Sequence, residues 1–174
     1  MLKRTINIEE KEELSFSDMK EMGYTIVHKV VMENDFDKLL TCLEEGVNPN
    51  ITGMLNNTPL HLAVLNKNDE CFDLLMAYEA DPNAKNKKGI TPFHYAIMTN
   101  NMPMVNKMLT RNADVLTPLR NGMLPQQAAI EVSDNKQMSE HIEAIANMQS
   151  IRSRLEQQNK DDNNVIQLSF KNKM

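Results

Sequence analysis

Thr58-Pro59-Leu60-His61 recurs as Thr91-Pro92-Phe93-His94, an interval of 33 residues. One interval back stands Thr25-Ile26-Val27-His28, and one forward Leu124-Pro125-Gln126-Gln127, a decayed copy with its proline in register. A fixed period of this length marks a stack of supersecondary units, because one unit cannot bury its apolar face alone. It also constrains function: such a stack encloses no pocket and works through a long exposed surface.

The copies agree well beyond the tetrapeptide. The second continues with Leu62-Ala63, Leu74-Leu75, Ala80-Asp81-Pro82-Asn83-Ala84 and Gly89. The third answers with Ala96, Met108, Ala113-Asp114 and Gly122, and the first supplies Gly23, Gly46 and Asn50. Thr58 suits a helix N-cap, its hydroxyl accepting a first-turn amide. Pro59 follows at the first helical position, where a missing N–H costs nothing. Ala63 and Ala96 are small where two helices approach closely. Gly23, Gly89 and Gly122 fall in the turn before each helix pair, where positive φ is expected; Asn56 takes that place in the second turn.

This pattern resembles the ankyrin repeat, a β-turn followed by two antiparallel helices, over residues 23–148. The resemblance implies an all-α solenoid of about four helix-turn-helix repeats. They fall at 25–57, 58–90, 91–123 and 124–133 onward, within a domain of residues 15–158. It makes His28, His61 and His94 structural, each bonding a neighbouring turn. Equivalent positions on stacked helices lie roughly 10 Å apart, too far to share a zinc ion whose ligands sit about 2 Å away. No metal site is expected.

Atypical ends suit a stack whose terminal units face water. Repeat one has Thr41 and Cys42 where two leucines are usual, repeat three has Lys107 and Leu116 in register with Leu74 and Asn83, and repeat four loses its histidine. Beyond it Met138, Ile142, Ile145, Met148, Ile151 and Leu155 recur at helical spacing, with Ser133 or Asp134 as the cap. Residues 134–158 are therefore expected to form one helix covering the open end. Residues 1–14 and 159–174 are expected to be flexible, with a short helix starting at Ser15 or Ser17. In the tail, Val165, Ile166, Leu168 and Phe170 form an apolar island that either packs back on the capping helix or serves as a linear signal.

Composition narrows the function. With 174 residues and no tryptophan, the chain fits one domain filled by Leu, Ile, Met and Ala. A net charge of −5 and a pI near 5.4 leave no phosphate-neutralising stripe, so direct nucleic-acid binding is not expected. Met1-Leu2-Lys3-Arg4 leads into acidic residues rather than an apolar h-region, and no run approaches a membrane span. The reading is cytoplasmic, with no membrane partner. Cys42 and Cys71 fall on second-helix positions and are expected to be buried, reduced thiols. With no phosphate-cradling loop, nucleophile elbow or paired metal-ligand motif, neither catalysis nor a cofactor is expected.

The resemblance places partner contacts on the exposed side of each first helix and on the turn tips. On the helices these are Met32, Glu33, Leu65, Asn66, Met98 and Thr99, the apolar row continuing to Val132. On the tips they are Met54, Leu55, Lys85, Lys87, Lys88, Ile90, Arg120 and Met123. Contiguous exposed apolar area marks binding surfaces, and flexible thioethers repack against different partners. Residues 25–90 carry six Lys against ten Asp and Glu, yet three of those lysines share one tip. Another protein, docking a segment with aliphatic anchors and acidic flanks, complements such a face. The chain thus reads as a monomeric, non-catalytic interaction module: an adaptor, scaffold or inhibitor. Two alternatives stay open. One is an effector delivered into host cytosol by an intracellular bacterium or virus, hinted at by Asn and Lys enrichment. The other is a structural subunit that self-associates through the groove or capping helix.

Overall fold

In the computed structural model, which describes the backbone of residues 25–171 and the side chains of residues 25–160, the 33-residue period becomes geometry. Inner helices span Ile26–Met32 (α1), Pro59–Leu65 (α3), Pro92–Met98 (α5) and Pro125–Glu131 (α7), each seven residues long and one period from the last. Outer helices span Phe36–Glu44 (α2), Asp69–Ala77 (α4), Met102–Leu109 (α6) and Lys136–Lys171 (α8). No strand occurs among the described residues, and the chain is an all-α repeat solenoid. Gly23 and the helix start expected at Ser15 or Ser17 lie outside the described residues.

The first three inner helices are each locked by a histidine. Nε2 of His28, His61 and His94 lies 2.9, 3.0 and 3.0 Å from the carbonyl oxygens of Asn57, Ile90 and Thr117, in the segment that leads to the next inner helix. A carbonyl cannot donate, so Nε2 carries the ring proton and Nδ1 offers its lone pair. Nδ1 of His61 then accepts from the Thr58 N–H (3.1 Å) and from the Thr58 hydroxyl (2.8 Å). Thr91 and His94 repeat this at 3.0 and 2.8 Å. The threonine hydroxyl, expected to accept an amide, therefore donates to the imidazole; only His94 N–H approaches one, at a long 3.4 Å. Gln127 keeps half of the device, its Oε1 accepting the Leu124 N–H at 2.8 Å.

The turns between inner and outer helices repeat as strictly. Asn34, Lys67 and Asn100 take positive φ. The next residue sends its N–H back to Val30, Ala63 or Ala96, closing the inner helix as a Schellman turn. Asp35, Asn68 and Asn101 then cap the outer helices, accepting from the amide three residues on. The fourth turn is one residue longer. Asp134 occupies its positive-φ position, so the cap falls to Asn135, whose side chain accepts the Met138 N–H at 2.9 Å. Neither Ser133 nor Asp134 caps α8.

Small residues let the inner helices touch: Ala63, Ala96 and Ala129 are fully buried. Around them pack Leu60, Phe72, Leu75, Phe93, Ile97, Met104 and Met108. Asn50 and Asn83 tie repeats together sideways. Each donates to the carbonyl of Glu79 or Asn112 at 3.2 Å and accepts the N–H of Asp81 or Asp114 at 2.7 Å. Leu116 ends that series and is exposed.

The last helix departs from expectation. It starts at Lys136 and runs to Lys171, so the backbone of residues 159–171, read as flexible tail, is helical. Its apolar stripe does not all face the stack. Met138 and Ile142 are buried and Ile145 half-buried, yet Met148, Ile151 and Leu155 are 70, 56 and 56% exposed. The stripe advances by about 3.4 residues per step against 3.6 per helical turn, so it winds off the contact face. Only the first turns of α8 cap the stack. Side chains of the island Val165–Phe170 lie outside the described residues.

Two predictions follow from packing. Leu60, Phe93 and Gln126 share one register position; the first two are fully buried, and Gln126 Oε1 is buried without a hydrogen-bond partner among the described residues. Gln126→Leu is expected to stabilise by about 1–2 kcal/mol, raising Tm by several degrees in a thermal melt; a lower Tm would show that the amide is satisfied. The histidines set a pH dependence. Burial holds His61 down to about 4, and lowers His28 and His94 as well. The unfolded chain binds these protons first, so stability is full above about pH 6.5 and withdrawn as pH falls toward 4. His61 alone accounts for roughly 3 kcal/mol across that window. Urea midpoints at pH 7.5 and 5 check this, and equal midpoints contradict it.

Candidate partner interface

Because the inner helices share one length and one period, their last residues stack in register. Met32, Leu65 and Met98 each end an inner helix and are 37, 38 and 40% exposed. In the fourth repeat the equivalent residue is Glu131, the last of α7. Val132, read as the end of the apolar row, is instead the following C-cap, though exposed. Glu33, Asn66 and Thr99 are the other C-caps. Glu33 pairs with Lys29 at 3.5 Å. Thr99 is half-buried and spends its hydroxyl on the Tyr95 carbonyl at 2.8 Å.

The tips are hairpin turns built alike. Gly53, Asn86 and Leu119 donate their N–H to the carbonyls of Asn57, Ile90 and Met123 at 2.8–3.0 Å. Asn56, Gly89 and Gly122 take positive φ at one register position, as expected. Asn86 is nearly buried and holds its tip, accepting from the Lys88 and Ile90 amides while donating to the Asn57 side chain. Neighbouring tips join directly through Lys87 N–H to the Leu55 carbonyl, 2.7 Å. Lys85, Lys87 and Lys88 are exposed on the middle tip and form no ion pair among the described residues. Arg120 stands beside them, its Cβ 3.9 Å from where a Cβ on Gly89 would lie.

The apolar tip row is thinner than the sequence suggests. Met54, Ile90 and Met123 are half-buried, and Met123 packs against the core. Leu55 is 40% exposed and carries an unforeseen feature: φ of +57° in a bulky residue. A leucine there stores about 1 kcal/mol that glycine would release. No sequence signal marks it, since only the following position, Asn56, aligns with the glycines.

Both ring nitrogens of His28, His61 and His94 are spent on backbone and threonine partners. No group of three or more His, Cys, Asp or Glu among the described residues could hold a metal. Cys71 is buried, which pushes its thiol pKa up, while Cys42, expected buried, is half-buried; both are free thiols. No helix among the described residues is long and apolar enough to cross a membrane.

An open helical-repeat stack, with an exposed row along its inner helices and hairpin tips beside it, defines a surface-recognition protein. The chain belongs to the ankyrin-repeat family: a model of three ankyrin repeats matches residues 6–86, 27–118 and 60–146. Repeats of this family are generally protein–protein interaction modules and are typically non-catalytic. A stretch of 59 residues is 34% identical to an E3 ubiquitin-protein ligase, KEG, of Arabidopsis thaliana. That match covers 34% of this chain and 4% of the ligase, and lies within the repeats.

Leu55 offers a test in which stability and recognition part company. Leu55→Gly is expected to raise the urea midpoint by relieving the turn, while weakening any partner that covers the tips. A destabilised Leu55→Gly protein would show that the leucine is held by packing rather than strained.

Proposed function

We propose that this chain is a non-catalytic binding module, an adaptor, scaffold or inhibitor, that occludes a partner protein through the ends of its inner helices and its tips. The observation that carries this reading is the row Met32, Leu65 and Met98, exposed side by side on adjacent inner helices. Thioether and methyl groups held on rigid helices give an apolar contact with little ordering cost. The lysines of the middle tip, with Arg120, supply a basic edge. A partner segment with aliphatic anchors for the row and acidic flanks for the edge complements both.

Leu65→Asp with Met98→Asp is expected to abolish partner capture from cell lysate, with helical content and melting nearly unchanged because both side chains are exposed. Leu75→Asp is the contrasting control: Leu75 is fully buried, and an unpaired charge there unfolds the stack. Undiminished capture by the folded double variant contradicts the proposed surface.

A further inference from the structure

Apart from the inner-helix row, residues of the outer helices α2 and α4 line an open cleft of about 630 Å³. Phe36 and Leu74 give it apolar surface; Asp37, Glu70 and Asp73 give it three carboxylates, with no cation among the described lining residues. Phe36 is 37% exposed there. The same place one repeat on, between α4 and α6, is occupied differently. Lys107, in register with Leu74, reaches back across the boundary. Its ammonium lies 2.8 Å from Asp73, 3.8 Å from Asp69 and 5.7 Å from the centre of the Phe72 ring. An aliphatic stem ending in a cation is thus the protein's own solution for an acidic, aromatic-edged gap between outer helices.

The first gap lacks that solution. Leu74 carries no charge, and the residues in register with Asp69 and Asp73 are Phe36 and Leu40. Asp73 is already compensated by Lys107 and, at 3.9 Å, by Arg111. Asp37 and Glu70 form no ion pair among the described residues. We propose that this cleft is a second docking site, taking an amphipathic segment of a partner protein that sets an aliphatic side chain against Phe36 and Leu74 and lysine or arginine beside Asp37 and Glu70. Its chemistry is opposite in sign to that of the basic tips, so the two faces select different segments. The protein then bridges two partners, or two segments of one.

A short synthetic amphipathic helix of leucine and lysine, fluorescently labelled, tests the site by anisotropy at physiological ionic strength, with NMR to locate it. Binding is expected to perturb residues 36–44 and 69–77. Asp37→Asn with Glu70→Gln, near-isosteric and at exposed positions, is expected to weaken it about tenfold or more, and Phe36→Ser similarly. Leu65→Asp with Met98→Asp, on inner helices and outside the cleft's lining, is expected to leave it unchanged. Replacing the peptide's leucines by serine is expected to cost at least tenfold; equal binding would reduce the site to charge attraction alone and overturn the proposal. Perturbations on the inner helices, or full binding by the Asp37/Glu70 variant, also overturn it. So does concentration-dependent self-association lost on Lys87→Glu with Lys88→Glu, which would assign the cleft to a second copy.

Discussion

The imidazole at the start of the first three inner helices is the joint on which this architecture depends. One ring nitrogen gathers a threonine amide and hydroxyl; the other reaches the turn that leads into the next inner helix. Two directional bonds from one rigid plane fix both the entry of the helix and its distance from its neighbour. The ring must stay neutral to do this, and burial keeps it so. A local cap and a long-range clamp thereby become a single residue's work.

Register has a consequence beyond stability. Four inner helices of equal length, starting one period apart and held at the same position by histidine or, in the last, by Gln127, end in register. Side chains at those ends meet no further layer of protein, and in three repeats they are apolar. The outer helices are less uniform. One gap is bridged by Lys107 and its carboxylates, another is left open beside Phe36. Strict repetition therefore builds one continuous surface, while departures from repetition build local ones.

Much of this was legible in the letters, because the period acts as an internal alignment: positive φ at Asn56, Gly89 and Gly122, tight packing at Ala63 and Ala96, and the helix pairs themselves. What escaped was anything depending on exact register or on the environment of one residue. The cap of α8 moved to Asn135 because one extra residue lengthens the fourth turn. Met148, Ile151 and Leu155 left the contact face because a stripe slightly short of the helical period rotates away from it. Val132 lost its place in the row for a similar one-residue reason. Met54, Ile90 and Met123 proved half-buried, a matter of side-chain direction that spacing does not encode. The strained φ of Leu55 has no signature at all, since leucine is not a residue chosen for such turns.

Methionine methyl groups report most directly on whether the inner-helix row stands open. In protein labelled at the methionine methyl carbons, a soluble gadolinium relaxation agent should strongly broaden Met32 and Met98, which are 37 and 40% exposed. It should spare Met104, Met108 and Met138, which are fully buried. If Met32 and Met98 are as protected as Met104, the row is covered by the protein itself and offers no surface to a partner.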